Sequence, residues 1–201
     1  MVKAVLLDPR LTEEIMARRR AVGHDRWDEV WDGVWHVVAS PNVEHQEVGK
    51  RLLRVLMEVV EDTGLGQVFY GLNVGDPEKG LRDFRIPDLL VILRNGAAQM
   101  RGSYIAGGPD FILEIHSPDD ETEEKIPWYA AQGVRELLVL DRDTKALRLF
   151  RASGGQLREV TPPTGIVECE TVPLRFERVE QGGVARVRVS QRARPGQVWH
   201  V

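Results

Sequence analysis

Three nearly continuous apolar runs, residues 86–93, 111–115 and 136–140, constrain this chain most. Runs this short and this apolar read as buried strands rather than surface ones. A sheet made of them needs helices to cover it. From Asn42 onward Val43, Val48, Leu52, Val55, Leu56 and Val59 recur at helical spacing, and Gly64 ends the pattern. That is the main amphipathic helix, packed on the sheet. A shorter helix is predicted over 122–132, stopped by Gly133, with Pro127 tolerated only near its first turn. Asp32-Gly33 between apolar stretches marks a hairpin. Upstream, Thr12 is placed to cap a helix over 13–21 that ends at Gly23. Residues 68–74 read as a strand, 75–82 as a turn, 95–108 as a loop, and Gly154-Gly155 as the turn of a further hairpin. After Pro162-Pro163, residues 164–190 read as two or three strands turning at Gly182-Gly183, either extending the sheet or forming a small β appendage. The last ten residues are expected to be mobile.

The order of elements predicts an α/β (α+β) fold with a mixed central sheet flanked by helices. It divides into an N-terminal helical lead (1–24), a core (25–163) and a β-rich extension and tail (164–201). At 201 residues, with 42% hydrophobic and 29% charged, one compact domain can bury a substantial core. The single cysteine, Cys169, excludes an intrachain disulfide and a cysteine-based zinc site, and points to a reducing compartment. No apolar run approaches the ~20 residues that cross a bilayer. The first residues turn acidic before a signal-peptide core could form, so a cytoplasmic protein is expected. The net charge of −4 does not advertise a nucleic-acid binder. Basic clusters exist at Arg18, Arg19 and Arg20, at Lys50, Arg51 and Arg54, and at Arg186, Arg188, Arg192 and Arg194. Each reads first as a solvated face.

The chemistry is carried by charges inside the apolar runs. Asp88 stands in the run 86–93 and Glu114 interrupts the run 111–115. A buried carboxylate without a partner costs several kcal/mol (about 3–5 when a buried pair is broken), so two on core strands point to a shared cation. A hard ion such as Mg²⁺ is held by one or two carboxylates plus water. His116, two residues beyond Glu114, projects to the same side of a strand. Lys125 falls near the start of the short helix, where the dipole disfavours it. Asp119, Asp120, Glu121 and Glu124 are placed to balance it, or it reaches back to the carboxylates.

Pro87-Asp88 followed by Glu114-Ile115-His116 looks like a PD-(D/E)xK nuclease motif with its final lysine replaced by histidine. The wider string resembles the Uma-two restriction-endonuclease family. It runs from Arg85-Ile86-Pro87-Asp88-Leu89 through Pro109-Asp110-Phe111-Ile112-Leu113-Glu114-Ile115-His116-Ser117-Pro118 to Lys125, Tyr129, Gly133-Val134 and residues 136–141. Trp31-Asp32-Gly33 and Ser40-Pro41-Asn42-Val43-Glu44-His45 fit the same pattern, so the likeness covers about residues 25–160. The resemblance implies a restriction-endonuclease-like core and a Mg²⁺-dependent endonuclease acting on DNA, with Mn²⁺ as a substitute ion. It makes Asp88 and Glu114 the metal ligands, Lys125 the displaced lysine supporting the attacking water, and His45 a histidine near the site. Glu44 is the acid that such nucleases often carry on the first long helix. His116 at the lysine position leaves two outcomes: Lys125 substitutes for it, or the site is weak.

Plain structural readings stand beside these. Asp88 could cap a turn, Glu114 could pair with Lys125 or an arginine, and Lys125 could pair with Glu121 on the surface. His45 could cap its helix, His116 could finish its strand, and Tyr129 could pack in the core. His24, His36 and His200 have no assigned partner. Trp27, Trp31 and Trp35 read as core or dimer packing. Against the enzyme stand a non-catalytic module on the same scaffold, binding nucleic acid or protein, and a two-fold dimer through the Trp-rich hairpin and the C-terminal β segment, which would also suit double-strand cleavage.

Overall fold

A computed structural model of the chain describes residues 4–118 and 120–201. In chain order the elements are β1 (Ala4–Leu6), α1 (Pro9–Ala21), β2 (Glu29–Trp31), β3 (Val34–Val37), α2 (Val43–Leu56), β4 (Gly66–Tyr70), β5 (Val74–Asp76), β6 (Gly80–Arg85) and β7 (Leu89–Leu93). Then come β8 (Gln99–Arg101), β9 (Tyr104–Ala106), β10 (Phe111–His116), α3 (Thr122–Gln132), β11 (Glu136–Asp141), β12 (Leu147–Ser153) and β13 (Gln156–Glu159). The chain closes with β14 (Ile166–Glu168), β15 (Leu174–Gln181), β16 (Val184–Gln191) and β17 (Arg194–His200).

The three apolar runs lie side by side in a central six-stranded sheet, ordered β13-β12-β11-β10-β7-β4. Its β10–β11 pair is parallel and its other pairs are antiparallel, so the sheet is mixed as predicted. Side chains alternate across a strand, and each face has its own core. Phe111, Leu113 and Ile115 face Val48, Leu52, Val55 and Leu56 of α2. Ile112, with Leu137 and Val139, faces Ile126 and Tyr129 of α3. Both helices are therefore held by burial of one stripe, worth about 1.5–3 kcal/mol per fully buried large side chain. Asn42 caps α2 by accepting from His45 N–H at 2.9 Å, and a π-helical turn over Met57–Glu61 extends it with Val59 and Val60 buried. Gly133, with φ of +89°, ends α3 in the left-handed conformation that glycine adopts freely. Pro127 is the sixth residue of α3, beyond the first turn to which the sequence reading confined it.

The Asp32-Gly33 hairpin forms with both residues at positive φ, 48° and 84°, as a tight primed turn requires. It belongs to a second sheet, ordered β1-β3-β2-β6-β5-β9-β8, whose Val74 and Ile105 join the α3-side core. Several local readings need correction. Asp8, not Thr12, caps α1, accepting from Arg10 N–H and Leu11 N–H at 2.9 and 3.1 Å. Residues 68–74 are not one strand; β4 and β5 enter different sheets. The loop over 95–108 contains the β8–β9 hairpin. Asp119 lies outside the described residues.

Residues 164–201 form a four-stranded antiparallel sheet, β14-β15-β16-β17. Its Val167, Leu174, Phe176, Val187 and Val189 bury into the same core as α2. The final residues are ordered, against expectation. Val201 and Val187 exchange both backbone hydrogen bonds at 2.9 Å, and Trp199 Nε1 donates to Glu58 Oε2 at 3.1 Å. Among the described residues no helix is long and apolar enough to cross a membrane.

The buried Glu136 ties this sheet to the centre. It accepts from the N–H groups of Glu170 and Thr171, the Thr171 hydroxyl and Arg151 Nε, all within 3.0 Å. Glu136→Ala leaves these donors unpaired, each costing about 1–3 kcal/mol, so the loss of stability is at least about 3 kcal/mol. Glu159→Ala, which removes an exposed pair with Arg148, costs no more than about 1 kcal/mol. Urea unfolding of the two variants checks the contrast.

Candidate active site

The site begins with a register. β7 and β10 run antiparallel, pairing Leu89 with Leu113, Leu90 with Ile112 and Val91 with Phe111. One step further sets Asp88 opposite Glu114. The contacts agree: Asp88 N–H donates to Glu114 Oε2 at 3.4 Å, and Ile115 N–H donates to Asp88 Oδ2 at 2.7 Å. Pro87 cannot donate to a ladder, and β7 starts just after it, so Asp88 sits at the open end of the strand. Glu114, in mid-strand, is buried.

Three elements close around this pair. From α3, Tyr129 donates its hydroxyl to Glu114 Oε1 at 2.6 Å, and Lys125 Nζ stands 3.6 Å from the same oxygen. The two residues are four apart on one helix and so share a face. From the first turn of α2, His45 Nε2 meets Asp88 Oδ1 at 2.8 Å, and its Nδ1 lies 3.4 Å from Ser117 Oγ. From β2, the buried Glu29 takes Lys125 Nζ at 2.8 Å. A cavity opens among these groups, with Trp27, Val37, Val38, Ala39, Pro41 and Ile86 forming an apolar wall.

The charges perturb one another. Burial pushes the Glu114 carboxyl up to about 7, with Asp88 and Glu29 adding to the rise and Lys125 and Tyr129 opposing it. Burial works against the Lys125 ammonium, yet Glu114 and Glu29 beside it, with Asp88 behind, hold its proton more tightly than usual. His45 follows the same logic. Its burial favours the neutral ring, but the Asp88 hydrogen bond and charge, helped by Glu114 and Asp120, raise its pKa. Burial and the charge of Glu114 raise the Tyr129 phenol well above its usual range, so it stays a donor.

The structure thus brings Asp88, Glu114, Lys125 and His45 together and leaves two expected residues aside. His116 shares the Glu114 face of β10, but its Nδ1 is 2.9 Å from Asp120 Oδ1, and its ring does not line the cavity. Asp120 also accepts from the N–H groups of Ser117 and Thr122, so His116 joins a turn. Glu44 points away to Lys145, 3.1 Å off, and is half exposed. Glu29 and Tyr129 are the residues that sequence reasoning missed. A carboxylate two residues before Trp31 in a hairpin, and a tyrosine four after Lys125, were the available signals. His36, left without a partner above, meets Glu121 at 2.9 Å and stacks on Trp31 at 4.1 Å, and Arg85 covers Trp31 at 4.2 Å. That tryptophan is engaged within the chain. Lys125 is held between Glu29 and Glu114 and only partly reaches solvent, rather than pairing on the surface with Glu121.

Among the described residues no cluster of three His, Cys, Asp or Glu side chains is set to bind a metal. The pair Asp88–Glu114 nevertheless suits a hard divalent cation, which needs one or two carboxylates and keeps much of its water. Glu114 Oε2, whose contact is the long one to Asp88 N–H, is the least committed oxygen. A cation there would relieve the repulsion that burial imposes on the two acids.

This layered arrangement is a mixed α+β fold that a solved structure shares. It is similar to the crystal structure of "a putative nuclease belonging to DUF820" from Anabaena variabilis ATCC 29413, with a TM-score of 0.57 and 18% identity, covering 72% of this chain and 82% of that one. No curated protein matches the chain. The Uma2 family, described as "Putative restriction endonuclease", matches residues 21–180. The chain belongs to that family.

The raised Glu114 carboxyl has a consequence for stability. The folded state binds this proton more tightly than the unfolded chain, so the contribution of Glu114 is most favourable below pH 4.5. It is lost progressively as the pH rises from 4.5 to about 7, and is constant above. Glu114→Gln removes that slope. Its unfolding temperature rises relative to the parent protein across that window, as calorimetry at pH 4.5, 6 and 8 would read.

Proposed function

We propose that this protein is a Mg²⁺-dependent endonuclease that hydrolyses phosphodiester bonds in DNA. One arrangement carries the reading: Asp88 and Glu114 face each other across β7 and β10, with the Lys125 ammonium against Glu114. Membership of a family described as restriction endonucleases supports the substrate class.

Asp88 and Glu114 would hold Mg²⁺, or Mn²⁺ in its place. When bound, such an ion supplies an acidified water and positive charge for the phosphoryl oxygens. Lys125 supports the attacking water and offsets negative charge that develops on the phosphate. Its ammonium stays protonated because three carboxylates surround it. His45 steadies Asp88 through Nε2 and faces the same cavity, where a protonated ring can meet a phosphate. Tyr129 occupies Oε1 of Glu114 and so leaves Oε2 turned toward Asp88. His116, bound to Asp120, is not part of the proposed machinery.

Asp88→Asn and Glu114→Gln each lower Mg²⁺-dependent DNA cleavage by more than about a hundredfold while the circular dichroism spectrum is kept. Full cleavage by either purified variant removes the assignment. At pH 8, Mn²⁺ raises the unfolding temperature of the parent protein, since a ligand of the folded state stabilises it. The same addition leaves Glu114→Gln unmoved, and thermal scans with and without the ion read the difference.

A further inference from the structure

Lys125 is anchored twice, and the shorter contact is not the one to Glu114. Its Nζ lies 2.8 Å from Glu29 Oε1 and 3.6 Å from Glu114 Oε1. A lysine reaching from a helix has many rotamers open to it, so it needs a fixed partner to hold one position. Glu29 is such a partner. Its carboxylate is 2% exposed and tied down at both ends. Oε1 also accepts Ile86 N–H at 2.8 Å, and Oε2 accepts Trp31 Nε1 at 2.7 Å. Ile86 lies two residues before Asp88, so Glu29 is bonded to the segment that presents Asp88. Trp31 is itself clamped between the His36 ring and the Arg85 guanidinium.

We propose that Glu29 is the positioning residue for Lys125: it fixes the ammonium beside Glu114 and keeps it from closing on that carboxylate. The proposal builds on the nuclease reading, in which Glu114 must keep an oxygen open to a cation. Without Glu29, the ammonium has Glu114 as its near partner, and a tight pair forms there. The acid that should share a divalent ion is then neutralised by the lysine. Glu29 binds neither ion nor phosphate in this scheme, since both its oxygens already take donors. It acts through Lys125.

Four proteins test this: the parent, Glu29→Gln, Lys125→Met and the double variant. The chain has five lysines, so ¹⁵N-lysine labelling gives few ammonium resonances, and Lys125→Met identifies the one wanted. In the parent Lys125 gives an immobilised ammonium signal. In Glu29→Gln that signal shifts or is lost while the other lysines are unchanged. With DNA and Mg²⁺, Glu29→Gln lowers kcat by about ten- to a hundredfold and leaves KM within about twofold. In the Lys125→Met background the same substitution changes kcat by less than about twofold, because a residue acting through another adds nothing once that other is gone. An unchanged Lys125 resonance in Glu29→Gln, or kcat losses that multiply in the double variant, overturns the proposal. If Glu29→Gln does not fold, Glu29→Asp is read in its place. It keeps the charge but withdraws the oxygens, and must still shift the resonance. A parent that cleaves no DNA overturns the nuclease reading, and the Lys125 resonance then decides the anchoring by itself.

Discussion

The antiparallel pairing of β7 with β10 is the contact on which the rest depends. Because Leu89 meets Leu113, Asp88 meets Glu114. Strand side chains alternate faces, so a slip of one residue would turn one acid to the α2 side and leave the other facing α3. The slip is prevented by what surrounds the pair. Leu89, Val91, Phe111 and Leu113 fill one core, and Leu90 and Ile112 fill the other, all of them fully buried. Hydrophobic packing on both faces of the sheet thus sets the distance between two charges.

Those charges are held at a cost that packing offsets. Glu114 sits in a dry position beside a second carboxylate, and its raised pKa expresses the strain. Lys125 and Tyr129 relieve it in part from α3, while His45 reaches Asp88 from α2. The N-terminal hairpin has a place in this scheme. Through Glu29 to Lys125 it is bonded to α3, and through His36 to Glu121 to the residue just before that helix, and it forms part of the cavity wall. The C-terminal sheet lies on the other side, against α2, joined through Glu136 and Glu58.

Asp88 and Glu114 were legible because a charge inside an apolar run is costly, and Lys125 because a cation near a helix start is disfavoured. Glu29 was not. It stands among tryptophans in a strand of three residues, and nothing local marks it as buried. Its partners, Ile86 and Lys125, lie far along the chain. Tyr129 has a side chain that serves equally well as packing, and only the placement of α3 over β10 turns its hydroxyl to Glu114. His116 misled for the reverse reason. Its parity with Glu114 was sound, but Asp120 lay within reach and took the ring. Short strands such as β8 and β9, and the last strand β17, escaped because their stability comes from neighbours rather than from periodicity.

Periodicity, turn residues and helix stops act over a few residues. They were enough to determine α2, α3, the Asp32-Gly33 hairpin and the three buried strands. Which acids stand together, which lysine they share and which histidine reaches them were decided by the sheet register and by the two helices packed on its opposite faces. Those interactions join residues dozens of positions apart, and they exist only once the core has closed and water has left it.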